Sequence, residues 1–249
     1  MKHIFAIGGG EIGRAGYPVE TLAIDKAIIK STGKKHPRLL FIPTASRDSA
    51  GYIKVVAEHF GKRLGCTIDT LCVAKDAPSQ KEMHAQVAAA DIVYVGGGNT
   101  LFMMKRWRAC GLDMILTRAA ESGTIMSGLS AGAVCWFRFA SSDSRMMTDP
   151  TYKKYIRVRG LGWYDATLSP HHIRENKRDA GLRTLLKSRG GIGIALDDFA
   201  CLEIRGAEYR IITSQPQARA RKMYLRKGKV AEELLRNDAW HDGATLLSK

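Results

Sequence analysis

The chain has 249 residues, 45% of them hydrophobic and 25% charged, with a formal net charge of +15. That is the composition of an ordinary globular protein long enough to bury one large core, and it contains no run of about 18 apolar residues that would span a membrane. The lysines and arginines are spread along the chain rather than gathered in one arm, which argues against a nucleic-acid partner and leaves a positive field suited to small acidic substrates.

His3 to Ile7, ending in Gly8-Gly9-Gly10, reads as a first strand rather than a signal-peptide core, because the apolar run is too short and too rich in glycine. A helix is expected from about Val19 to Ser31, then a strand from Arg38 to Ile42 with Pro43 to Ser46 as its exit loop. A helix from Ala50 to Leu64 and a strand from Thr67 to Val73 follow. The pattern repeats with a helix from Gln80 to Ala89 and a strand from Asp91 to Val95 that ends in Gly96-Gly97-Gly98-Asn99. Helices from Leu101 to Cys110 and from Leu112 to Ser122 then lead into the strand at Gly123 to Met126. Strands alternating with helices of this length predict a mostly parallel sheet with helices on both faces, whose ligands sit at the carboxyl ends of the strands.

Past Phe137 the chain turns polar and irregular, through Ser141 to Arg145 and Tyr152 to Gly160. A strand at Ala166 to Ser169 runs into Pro170-His171-His172. A helix from Asn176 to Ser188 and a strand from Ile192 to Leu196 follow, the latter running into Asp197-Asp198. Ala200 to Ile204, Tyr209 to Thr213 and Lys222 to Leu225 predict a small antiparallel meander with a basic exposed face. No linker rich in Pro, Gly or Ser divides the chain, so one domain spans residues 1–249, with a peripheral tail from about residue 232. The cysteines (Cys66, Cys72, Cys110, Cys135 and Cys201) are odd in number and lack metal spacing, which fits reduced thiols in a cytoplasmic protein without a metal.

The chemistry points to Gly128-Leu129-Ser130-Ala131-Gly132-Ala133. It fits G-x-S-x-G, in which a serine sits on a sharp turn between a strand and a helix whose first N–H groups face any negative charge that develops there. A serine needs a base, and the base needs an orienting group. Of the seven histidines, His171 and His172 sit at a strand exit; Asp197, Asp198 and Asp143 are carboxylates in comparable loops.

Val95 to Thr100, Gly128 to Ala133 and Ser169-Pro170-His171-His172, in this order and spacing, resemble the peptidase E (aspartyl dipeptidase) and cyanophycinase family of serine peptidases. The resemblance covers the chain to about Ile204. It implies a sheet like that of the class I glutamine amidotransferases, with serine in place of cysteine at the elbow. It also implies Ser130 as nucleophile, His171 as base, and Gly98 and Ala131 as the N–H donors of an oxyanion hole. Asp198 falls on the orienting carboxylate, although the family carries a Glu there, and Asp143 matches a second family aspartate. Arg178 falls, across a gap, on the arginine that reads an acidic substrate side chain, and Asn99 lies in the substrate loop. The implied activity is hydrolysis of short peptides, foremost dipeptides with an N-terminal aspartate, without any cofactor. A larger aspartate–arginine polymer or an ester would serve the same residues as substrate, and a binding protein without catalysis would use the same fold. The expected partner is a small peptide, with neither nucleic acid nor membrane; a homo-oligomer is compatible with the sequence.

Overall fold

The computed structural model describes residues 1–237 and 239–248. In chain order its elements begin β1 (His3–Ile7), α1 (Leu22–Ser31), β2 (Arg38–Ile42), α2 (Ala50–Val56), β3 (Thr67–Thr70), α3 (Gln80–Ala88), β4 (Ile92–Val95), α4 (Thr100–Cys110), α5 (Leu112–Glu121) and β5 (Ile125–Leu129). They continue as α6 (Ala131–Val134), β6 (Phe137–Ser142), β7 (Ile156–Arg159), β8 (Tyr164–Ser169), α7 (Arg178–Arg189) and β9 (Ile192–Leu196). The last are β10 (Ala200–Arg205), β11 (Glu208–Thr213), β12 (Ala220–Arg226), β13 (Lys229–Leu235), β14 (His241–Asp242) and α8 (Gly243–Leu247). No helix among the described residues is long and apolar enough to cross a membrane.

The α/β class holds, but the strands form two mixed sheets. An eight-stranded sheet runs β14-β11-β10-β1-β5-β4-β2-β3, and a six-stranded sheet runs β13-β12-β9-β8-β6-β7. In the first, the block β1-β5-β4-β2-β3 is parallel, while β10 and β11 add antiparallel strands beside β1. The expected meander is therefore divided: β10 and β11 extend the first sheet, whereas β12 pairs with β9 and β13 in the second. Its basic face is not wholly exposed either, since Lys222 is buried with its ammonium donating to the Thr245 carbonyl. The tail is partly built in, with β14 paired to β11 and Leu246 buried in the core.

Alternation along the central strands serves two cores. Ile4 and Ala6 of β1 face one hydrophobic cluster with Val93, Val95 and Met126, while Phe5 and Ile7 face another with Ile24, Ile28 and Phe60 of the helical layer. Strands buried on both faces read as continuous apolar runs, which is why these were legible in sequence. The helix expected to Leu64 changes at Ala57 into a wider, π-type turn through Arg63, which carries both His59 and Phe60 inward. On the outer face of the second sheet, α7 packs Leu182 and Leu186 over Ala195 and Met223.

This topology sets the exits of β4, β5 and β1 side by side at one edge, and those of β8 and β9 side by side in the other sheet. The Gly8-Gly9 backbone forms the seam: its carbonyls accept the His171 and Phe199 N–H groups at 3.2 and 2.9 Å. Closure at the elbow depends on small residues. A Cβ on Gly132 would overlap the Val95 carbonyl oxygen, and one on Gly128 would come within 2.5 Å of the Gly132 carbonyl oxygen. Gly132→Ala is therefore expected to destabilise the fold by about 3 kcal/mol, the upper part of the usual range for overpacking. A urea midpoint equal to that of the wild type would show that α6 moves away from β4 without strain.

Candidate active site

Ser130 links β5 to α6 with φ 56° and ψ −108°, a conformation that side chains other than glycine's seldom adopt. Its N–H donates to the Ile7 carbonyl at 2.9 Å, so the strain is held in place by the neighbouring strand. The turn aims Oγ at His171, whose Nε2 lies 2.7 Å away. His171 also has a positive φ, 62°, and its Nδ1 lies 2.8 Å from Asp198 Oδ1. An ionised carboxylate only accepts, so Nδ1 carries the hydrogen and Nε2 is left to accept from the serine hydroxyl. The second oxygen of Asp198 accepts the Arg174 N–H at 3.0 Å. Burial pushes the Asp198 carboxyl up, but the hydrogen bond and charge of His171, with the Arg174 N–H and guanidinium, outweigh it and hold the group below the ordinary range.

The structure thus brings Ser130, His171 and Asp198 together. Asp143 lies elsewhere: its carboxylate accepts from Arg178 Nη2 at 3.1 Å. Asp197 caps the start of β12 by accepting the Arg219 N–H. His172 faces away from Ser130, with Nε2 2.9 Å from Ser169 Oγ and Nδ1 accepting from Arg221. Burial, reinforced by the Arg221 charge, pushes that imidazole down to about 4, so it stays neutral beside His171.

The N–H groups of Gly98 and Ala131 have no hydrogen-bond partner among the described residues. Along the loop after β4, Gly96 N–H donates to the Ile42 carbonyl, Gly97 N–H to the Tyr52 hydroxyl and Asn99 N–H to the Ala45 carbonyl. Only that of Gly98 donates to nothing among the described residues, and the Ala131 N–H at the start of α6 is likewise unpaired there. Gly97 lies against Ser130, a Cβ on it standing 3.5 Å from that of the serine. A pair of free donors beside a serine hydroxyl is the arrangement an oxyanion hole requires.

The two expected substrate-binding side chains are engaged elsewhere. Asn99 caps α4, its Oδ1 accepting the Phe102 N–H at 2.9 Å and its amide donating to the Ser144 carbonyl at 3.0 Å. Arg178 is 2% exposed and donates to Glu175, Asp143 and the Ser141 carbonyl, with its guanidinium 4.7 Å from the Tyr155 ring centre. It ties the start of α7 to the end of β6 and does not line the cavity at Ser130. That cavity, about 820 Å³, is bounded by the Gly10–Ala15 loop, the Ser49–Glu58 face, Gly97, Gly98, Leu129, Ser130 and His171. Its cations are Arg14 and Lys54. Arg14 pairs with Glu11 at 2.9 Å and stacks on Tyr17, whereas Lys54 has no ion-pair partner among the described residues.

Three contributors escape sequence reasoning. Gly9 is pressed onto the relay, since a Cβ there would overlap both Asp198 Oδ1 and His171 Nδ1. Its signal was present in the triple glycine, and the close approach that requires it is to the side chains of Asp198 and His171. The Arg174 backbone and the Tyr52 hydroxyl have no signal in sequence, because their contacts arise only when the elements pack.

The model of peptidase family S51 matches residues 4–212 of the chain. The uncharacterized peptidase YgaJ of Bacillus subtilis is 32% identical over 236 residues, 93% of this chain and 96% of the relative. A protein named peptidase E from Pasteurella multocida is 23% identical, over 85% of this chain and 89% of its own. Among solved structures, a peptidase from an acI-B1 actinobacterium superposes with a TM-score of 0.73 at 22% identity, covering 97% of both chains. A putative peptidase E protein from Listeria monocytogenes gives 0.60 at 19% identity, over 86% of this chain and 98% of that one.

Proposed function

The chain belongs to peptidase family S51 and is a peptidase on that ground, and from this premise we propose that it is a serine peptidase of short peptides. Ser130 is the nucleophile, His171 the general base and Asp198 the orienting carboxylate. The observation that supports this reading most is the continuous relay from Ser130 Oγ through His171 to Asp198, with both links under 3 Å at 2.7 and 2.8 Å.

The reaction follows from that relay. Ser130 Oγ attacks the peptide carbonyl as His171 Nε2 takes its proton, and the carbonyl oxygen becomes an oxyanion between the Gly98 and Ala131 N–H groups. His171 then returns the proton to the leaving amine. Water, deprotonated by the same imidazole, releases the acyl group and restores the serine. Asp198 keeps the imidazole in the tautomer that accepts from serine and stabilises the imidazolium that forms.

The substrates proposed are dipeptides with a free N-terminal aspartate, in keeping with the motifs shared with peptidase E. In this chain the acidic side chain would meet Lys54 rather than Arg178, because Lys54 lines the cavity without an ion-pair partner there while Arg178 is buried in its own ion pairs. Hydrolysis of an Asp-X series, compared with Ala-X, Glu-X and N-blocked Asp-X peptides, tests the reading. Asp-X should be cleaved preferentially, and Lys54→Ala should lower kcat/KM for Asp-X about tenfold more than for Ala-X, the size of one charge-assisted hydrogen bond. Equal rates on Asp-X and Ala-X would remove the aspartate preference and leave a general short-peptide peptidase. No hydrolysis of any peptide would sink the reading itself.

A further inference from the structure

Tyr52 does not belong to the reacting set, yet its side chain reaches the loop that carries one of the two free N–H groups. The ring lies edge-on to Phe41, with centroids 5.1 Å apart at 65°. It is wedged against Gly96, where a Cβ would stand 2.9 Å from Tyr52 Cε1. From that fixed position Oη accepts the Gly97 N–H at 3.3 Å. On the other flank the Asn99 N–H donates to the Ala45 carbonyl at 2.8 Å, and a Cβ on Gly98 would overlap that same carbonyl. The loop is therefore clamped from both sides, with Gly98 between the clamps at a φ of 137°.

We propose that Tyr52 is a positioning residue for the oxyanion hole, its hydroxyl holding the Gly97–Gly98 segment at the distance from Ser130 at which the Gly98 N–H meets the developing charge. The inference rests on the serine-peptidase reading above. Three consecutive glycines, Gly96 to Gly98, allow the backbone many other conformations, so an aligned donor here needs outside restraint. Of the two clamps, the one at Gly97 is a side chain and so can be removed by substitution. Burial pushes the Tyr52 hydroxyl up to about 12, which keeps it neutral wherever the enzyme is assayed. Without it the Gly97 N–H would be left half-buried and unpaired, and the loop would gain by turning toward water.

The test is Tyr52→Phe in the whole protein, which keeps the ring wedged and removes only the acceptor. Labelling of Ser130 by a fluorophosphonate needs no knowledge of the peptide substrate. Oγ bonds to phosphorus, the P–F bond breaks, fluoride leaves, the serine proton passes to His171, and negative charge grows on the phosphoryl oxygen in the oxyanion hole. The labelling rate and kcat should both fall about tenfold, less than the 10²–10³ seen when an oxyanion donor is deleted outright. KM should stay at its wild-type value and Tm should fall by no more than about 4 °C, the size of one lost hydrogen bond, a split that loss of packing would not give. Wild-type labelling rates in Tyr52→Phe, or a raised KM with unchanged kcat, would overturn the inference, the latter making Tyr52 a substrate contact. A wild type that is not labelled at Ser130 would instead overturn the serine-peptidase reading, and this inference with it.

Discussion

Ser130→Ala is expected to lower kcat by about 10⁴- to 10⁶-fold, the range seen when a triad nucleophile is removed. Thermal stability should change little. Among the described residues the Oγ atom hydrogen-bonds to His171 Nε2 alone, so its loss leaves no other group there without a partner. Alanine keeps the Cβ and so meets the same backbone strain at φ 56°; what holds that strain, the N–H bond to Ile7 and the glycines at 128 and 132, is untouched. Residual rate should come from the Gly98 and Ala131 donors and from substrate binding, which together still favour the transition state. The measurement is kcat on the best dipeptide, alongside a melting curve. A fall of tenfold or less with an intact fold would show that another group attacks the carbonyl, and the relay to His171 would then need another purpose.

What was legible in sequence was whatever a few adjacent residues decide. Gly128, Ser130 and Gly132 announce the elbow because they stand at fixed spacing within one strand–turn–helix segment, although the contact that requires Gly132 is with Val95 of the neighbouring strand. The apolar runs of β1, β2, β4 and β9 stand out because both faces of those strands are buried. The second sheet was harder. β6 ends in Ser141 and Ser142, which are buried yet polar, and β7 has the pattern Ile-Arg-Val-Arg, so neither shows the apolar signal of a strand. The alternation of β10, β11 and β12 was visible, but pairing of β12 with β9 is a long-range choice that alternation does not encode. Arg178 shows the same limit in a side chain. Its match to the family arginine implied a role toward substrate, whereas its place is set by Asp143, 35 positions earlier, and by Glu175.

Asp198→Asn should be nearly as damaging as loss of the nucleophile, lowering kcat by about 10⁴-fold through the wrong tautomer. The amide nitrogen of asparagine would donate to Nδ1, which moves the imidazole hydrogen to Nε2. There it faces Ser130 and the base no longer accepts. Asp143→Asn is the matched control. It weakens one partner of Arg178, whose guanidinium keeps Glu175 and the Ser141 carbonyl, so kcat should stay within about tenfold, as for loss of one partly exposed ion pair. Reversal of that order in measured kcat would transfer the orienting role to Asp143. Stability against pH separates the variants again. The Asp198 carboxyl is held below its ordinary range in the fold, so its contribution is fully present above the unfolded value of about 4 and is lost as pH falls through the lower folded one. The difference in Tm between wild type and Asp198→Asn should therefore be constant near neutrality and narrow only in strong acid. A difference that narrows already on approaching pH 5 would place the titrating group elsewhere than at Asp198.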